Sequence, residues 1–120
     1  MSRVKIITHN GRDIVVSDLT NIETEGTIIE ALEEVRRIVE QWNEPFCTFY
    51  DITGSYLNAE VIDRAKKLAK YVDSTRLSRG SASVGMNSRS KRIIGNFLKP
   101  KMYFAKNMED ALTHLTEEKR

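Results

Sequence analysis

Apolar residues recur along this chain with two different spacings, and the alternation between them dictates the class of fold. Val4-Lys5-Ile6-Ile7 and Asp13-Ile14-Val15-Val16 are short β-prone runs on either side of Asn10-Gly11. Both positions of an Asn-Gly pair tolerate the positive φ that tight hairpin turns require, so residues 3–8 and 12–17 are expected to pair antiparallel. After a polar stretch from Ser17 to Gly26 the spacing lengthens. Ile28, Leu32, Val35, Val39 and Trp42 form one stripe with Ile29 and Ile38 beside it, while Glu33, Glu34, Arg37 and Glu40 fall on the opposite side. This is the pattern of an amphipathic helix of about four turns. Thr27-Ile-Ile-Glu30 reads as its capping box, and Asn43-Glu44-Pro45 as its stop, because proline biases the residue before it away from the α region.

The alternation then repeats. Phe46-Cys47-Thr48-Phe49-Tyr50-Asp51 is short and aromatic, bounded by Pro45 and Gly54, and reads as a buried central strand. Asn58 is placed to cap a helix whose inner face carries Val61, Ile62, Ala65, Leu68, Ala69 and Val72, with Arg64, Lys66, Lys67 and Lys70 toward water. Ser74 to Ser81 reads as a basic connection, and Ser81-Ala82-Ser83-Val84-Gly85 as a strand of small residues. Asn87 or Ser88 is expected to cap a third helix with Ile93, Ile94, Phe97 and Leu98 inside, ended by Lys99-Pro100. Met102-Tyr103-Phe104 is the last strand. Asn107 is expected to cap the last helix, which places Glu109 and Asp110 where its dipole favours acids. The order is β-β-α-β-α-β-α-β-α. An N-terminal β-hairpin followed by three βα units implies an α/β fold with a mixed, mostly parallel five-stranded sheet, four helices and right-handed crossovers.

The 120 residues are one domain's worth of chain. No apolar run approaches the roughly 20 residues of a membrane-spanning helix. MSRVKIITHNGRD contains no signal-peptide core, so a cytoplasmic location is expected. Cys47 is the only cysteine, which excludes an intrachain disulfide and a multi-cysteine zinc site. The net charge of +2 hides an uneven distribution. Asp13 to Asp63 holds twelve acids against Arg36 and Arg37, whereas Arg64 to Lys106 holds twelve bases against Asp73. Either the two halves neutralise each other where they pack, or the C-terminal half presents a surface that attracts anions.

Element order, the strand ending Phe49-Tyr50-Asp51-Ile52-Thr53 and the helix starting near Asn58 resemble STAS domains of the anti-sigma-factor antagonist type. The Asp51-Ile52-Thr53-Gly54 segment and the Ala82-Ser83-Val84-Gly85 strand before a basic helix are similar to the divergent SpoIIAA-like, or STAS/SEC14-like, branch. So is the spacing of Tyr103 and Phe104 from Ala111 and Leu112. The resemblance covers nearly the whole chain and implies a SpoIIAA-like fold and a non-enzymatic role. That role is binding a partner kinase or scaffold, switched in many relatives by phosphorylation near the start of the second helix. The Asp-x-Ser part of that motif maps to Asp51-Ile52-Thr53. Ala59 and Glu60 stand where the modified hydroxyl belongs, so this chain departs from the switch, leaving Thr53 and Ser55 as the nearby hydroxyls.

Two segments are candidate sites. Thr53, Gly54, Ser55, Tyr56 and Asn58 follow the C-terminal end of a central strand, where α/β sheets usually bind, and form the expected partner surface; a turn followed by a helix cap explains the same residues. Asn87, Ser88, Arg89, Ser90, Lys91 and Arg92 open a helix after Gly85, and free amides, hydroxyls and cations converge there on any anion. The spacing is neither that of a Walker loop nor Gly-x-Gly-x-x-Gly, and no cofactor motif is present. His9 and His114 are isolated in sequence, Cys47 sits in an apolar strand, and no nucleophile elbow exists, so catalysis is not expected. The sequence reads as a regulatory or protein-interaction module. The alternatives are a small-anion, nucleotide or lipid-binding domain, and nucleic-acid binding through the basic half, against which the core-like spacing of Phe97, Tyr103 and Phe104 argues. Exposed strand edges leave a homodimer open, through the hairpin edge or a helix face.

Overall fold

The computed structural model describes residues 2–55, 57–95 and 102–117. Its elements are β1 (Val4–His9), β2 (Arg12–Asp18), α1 (Glu25–Gln41), β3 (Phe46–Asp51), α2 (Ala59–Ser74), β4 (Ser78–Val84), α3 (Ser88–Gly95), β5 (Tyr103–Ala105) and α4 (Met108–Thr116). The expected order holds throughout. Asn10 and Gly11 take φ of 50° and 76° in the hairpin turn, and β1 runs antiparallel to β2 with Ile6 opposite Val15. The strands lie in the order β1-β2-β3-β4-β5, and the last three pairings are parallel.

Each parallel step moves in the same direction across the sheet. Right-handed crossovers therefore put α1, α2 and α3 on one face, and α4 returns to cover the other. The two hydrophobic clusters follow this division. Ile28, Leu32, Val35 and Val39 of α1 and Val61, Leu68 and Val72 of α2 pack with Val15 and Phe46 on the first face. Ala111 and Leu115 of α4 pack with Ile14, Val16, Cys47, Phe49 and Ala82 on the second. β3 is buried on both sides from Phe46 to Phe49 because it lies at the centre of the sheet beneath helices on both faces.

Three local expectations are corrected. The helix α1 begins two residues before Thr27, after an N-cap at Thr24 whose side chain makes no capping bond to the backbone. Thr27 and Glu30 therefore lie inside the helix and form no capping box. Thr24 and Thr27 instead share a hydroxyl–hydroxyl bond of 2.7 Å. Gly26 joins the first turn, where Glu25 favours the helix dipole. The strand β4 begins at Ser78 rather than Ser81, because tertiary pairing recruits a polar segment: Ser78 lies opposite Phe46, and the register shifts between Phe46 and Thr48, beside Gly80 at φ 143°. The expected inner positions Phe97 and Leu98 and the Lys99-Pro100 stop lie outside the described residues.

The opposite charges of the two halves meet on one seam. Arg64 of α2 reaches Glu33 of α1 at 3.7 Å, and Arg36 sits 4.3 Å from the centre of the Tyr71 ring. Such exposed pairs contribute little, and the cations after Ser74 have no described part in them.

Two glycines of opposite context test the packing. Gly85, at φ 90°, lies where an added Cβ would stand 2.6 Å from the Thr53 backbone, whereas one at Gly26 would meet nothing within 4 Å. Gly85→Ala is expected to lose about 2 kcal/mol or more in urea denaturation, while Gly26→Ala is expected to be neutral or to gain up to about 1 kcal/mol.

Candidate functional site

Neighbouring strands β2 and β3 end alike. Asp18-Leu19-Thr20-Asn21 and Asp51-Ile52-Thr53-Gly54 are the same four-residue turn written twice, with Asp18 opposite Asp51 in the ladder. In each, the aspartate Oδ1 accepts from the threonine amide two residues on, at 3.1 Å in both turns. It also accepts from the threonine hydroxyl, at 2.6 Å for Thr20 and 2.7 Å for Thr53. The fourth residue adopts left-handed φ, 54° at Asn21 and 75° at Gly54. The two Thr20 bonds hold the Asp18 carboxyl below the usual carboxylate range, against a smaller opposing effect of burial.

These turns prolong the parallel ladder beyond the strands. The Leu19 amide donates to the Asp51 carbonyl at 2.8 Å, the Asn21 amide to Thr53 at 2.9 Å, and the Ile52 amide to Val84 at 2.9 Å. Ser55 closes the rim: its hydroxyl donates to the Leu19 carbonyl and accepts from the Ile22 amide at 2.9 Å. Both bonding capacities of that hydroxyl serve the fold, and the Thr53 hydroxyl is held by Asp51. Asn58 caps α2 by accepting from the Val61 amide at 2.9 Å. Tyr56 lies outside the described residues.

The second candidate segment stands beside the first. Gly85 follows Val84, the partner of Asp51, and abuts Thr53 so closely that no Cβ fits between them. Asn87 Oδ1 accepts from the Ser90 amide at 2.8 Å and so caps α3. Ser90 is buried, whereas Ser88, Arg89, Lys91 and Arg92 are exposed. Lys91 Nζ lies 5.8 Å from the centre of the Phe104 ring. Among the described residues no carboxylate is in ion-pair contact with Arg89, Lys91 or Arg92. One rim thus joins a neutral loop tied down by hydrogen bonds to a cationic helix start.

Sequence reasoning missed the duplicated turn, although the repeated Asp-aliphatic-Thr was legible. It also missed a row of polar residues on the face of the sheet that α1 and α2 cover. Ser17, Tyr50 and Ser83 lie side by side there on β2, β3 and β4. The Ser17 and Ser83 hydroxyls are buried without a hydrogen-bond partner among the described residues, at a cost of about 1–3 kcal/mol each. Burial pushes the Tyr50 phenol up to about 12, opposed by a weaker bond to Thr48. Asp73, near the end of α2, is raised by burial.

The remaining titratable candidates stand apart from the rim. His114 stacks on Tyr103 at 3.8 Å, and Tyr103 donates to the Asp110 carboxylate at 3.0 Å. Cys47 is buried under α4, which raises its thiol pKa. No group of three or more His, Cys, Asp or Glu that could hold a metal occurs among the described residues, and none of their helices is long and apolar enough to cross a membrane.

No protein-family model matches the sequence, and no curated protein matches it. Among solved structures, the chain is similar to an uncharacterized protein of the DUF3478 family from Shewanella loihica PV-4, described as having a SpoIIAA-like fold. The TM-score is 0.67, over 93% of this chain and 91% of that one, at 14% sequence identity. The fold is therefore SpoIIAA-like, as the STAS resemblance implied.

Two substitutions check the energetics of the rim and its surroundings. Ser55→Ala leaves the Ile22 amide and Leu19 carbonyl short of a partner and is expected to cost about 1–3 kcal/mol in chemical denaturation. Asp73→Asn is expected to raise stability at pH 7 by about 0.5 kcal/mol, since the change removes an acid from a helix C-terminus as well as from a partly buried site. Because the folded-state pKa is raised, that gain is present above it and vanishes at pH values below the unfolded carboxyl's, where Asp73 is protonated in both states.

Proposed function

We propose that this chain is a non-enzymatic STAS-like binding module that docks an acidic protein partner on the rim formed by Thr53, Gly54, Ser55, Asn58 and the start of α3. The observation that carries this reading is the seam between Thr53 and Gly85, which gathers both segments at one end of the sheet. A rigid loop beside Arg89, Lys91 and Arg92 suits recognition of a carboxylate-rich surface. The SpoIIAA-like fold supports a role in protein interaction.

The phosphorylation switch of the antagonist type is not part of the proposal. Ala59 and Glu60 occupy its usual place, and the hydroxyls of Thr53 and Ser55 are engaged by Asp51, Leu19 and Ile22.

Capture from native lysate by the full chain, set beside the Arg89→Glu/Arg92→Glu variant, tests this reading. Both arginines are exposed and without ion pairs among the described residues, so the variant is expected to keep its folded stability within about 0.5 kcal/mol. The wild type is expected to retain an acidic protein at low salt and release it as ionic strength rises, since the Debye length shrinks to about 8 Å at physiological salt. The variant is expected to retain at least about tenfold less, a loss of about 1.4 kcal/mol. Equal retention by both proteins overturns the rim as the docking surface. Retention of DNA with the same salt and variant dependence replaces a protein partner with nucleic acid.

A further inference from the structure

β1 is an outermost strand of the sheet, paired on one side alone. The Asp18 amide donates to the Arg3 carbonyl at 2.8 Å, which makes Arg3 and Asp18 a hydrogen-bonded pair of the antiparallel ladder. Hydrogen-bonded and non-hydrogen-bonded pairs alternate in such a ladder, so Lys5, Ile7 and His9 turn their backbone groups to β2 while Val4, Ile6 and Thr8 turn theirs outward. The Ser2 hydroxyl accepts from the Val4 amide at 3.1 Å. The backbone amides and carbonyls of Ile6 and Thr8 have no partner among the described residues. An open edge of this kind is a template for another strand.

The side chains along this edge alternate in chemistry. Ile6, opposite Val15, stands on the face that α1 and α2 cover and is 37% exposed. Arg3 and Lys5 stand on the other face and line one groove with Val16 and Asp18. Both cations are exposed, and among the described residues no carboxylate is in ion-pair contact with either. Asp18 is the acid beside them, and its Oδ1 is already taken by the amide and hydroxyl of Thr20. The edge therefore offers free backbone groups, an apolar side chain on one face and cations on the other.

We propose that β1 takes up an extended segment of another protein as a sixth strand, one in which acidic residues alternate with apolar ones. The main chain of the segment bonds to Ile6 and Thr8, its acids lie beside Arg3 and Lys5, and its apolar side chains lie beside Ile6. Charge favours this occupant over a second copy of the chain. Antiparallel self-pairing that matches the free groups, Ile6 against Thr8, sets Lys5 opposite the other copy's His9 and in line with its Arg12. Lys5 and Arg12 would then share one row with no acid between them. The edge lies two strands from β3 and does not depend on docking at the rim.

A capped hexapeptide of alternating glutamate and valine is the probe, titrated into the full chain at low salt. Amide ¹H–¹⁵N spectra are expected to show saturable shifts at Ile6 and Thr8, and hydrogen exchange to slow more at those two amides than at Lys5 and Ile7. Lys5→Glu is expected to weaken the peptide about tenfold and to reverse the preference toward a lysine–valine peptide. Ile6→Pro removes an outward donor that the β1–β2 ladder does not use and is expected to abolish binding; should it fail to fold, Lys5→Glu carries the test alone. Arg89→Glu/Arg92→Glu is expected to bind the peptide as the wild type does, so this edge and the rim fail separately. The absence of saturable shifts at millimolar peptide overturns the proposal. So does equal affinity for the glutamate and lysine peptides. Dimerisation through β1 that the peptide does not displace overturns it in favour of a second copy.

Discussion

The structure depends on the pairing of β3 with both of its parallel neighbours. β2 and β4 flank it, and helices cover both of its faces, so its backbone groups have no solvent to fall back on. The ladder therefore has to be complete, and it continues past the strand ends through Leu19, Asn21 and Ile52. The duplicated Asp-aliphatic-Thr turn is what allows this. Each aspartate folds back onto its threonine, and the left-handed residue after it turns the chain away from the ladder. Rigidity at the rim is thus a consequence of satisfying the central strand.

That origin explains why the loop hydroxyls look functional in sequence and behave structurally in space. Thr53 and Ser55 are polar residues after a central strand, the usual setting of a binding loop. Their hydroxyls bond to Asp51, Leu19 and Ile22, so under the proposed function a partner would meet the adjacent cations and the exposed backbone of the loop. The charge asymmetry of the sequence resolves in the same way. The acids of α1 meet the bases of α2 through Glu33 and Arg64, whereas the bases at the start of α3 have no described acid to meet.

Much of the fold was legible because its signals are local. Asn10-Gly11 turns where the backbone needs positive φ, the α1 stripe buries Ile28, Leu32, Val35 and Val39, and Asn58, Asn87 and Asn107 each cap the helix they precede. The failures belong to tertiary pairing. Ser78 and Arg79 carry no strand signal of their own, and β4 starts there because β3 offers it a partner. Thr27-Ile-Ile-Glu30 fits a capping box, yet the helix reaches back to Glu25. The proximity of residues 53–55 to residues 85–88 was legible only once strand adjacency was assumed. The polar row of Ser17, Tyr50 and Ser83 was not legible at all, since it arises from the pairing of strands distant in sequence.

The account stands on the two segments sharing one rim. A nitroxide attached at Ser88→Cys, with Cys47 buried and unreactive, measures this directly through paramagnetic broadening of backbone amides. Strong broadening at Thr53, Gly54 and Ser55 is the predicted result, with little at the Asn10-Gly11 turn. Sharp amide signals at residues 53–55 alongside broadened ones at the hairpin turn would contradict it.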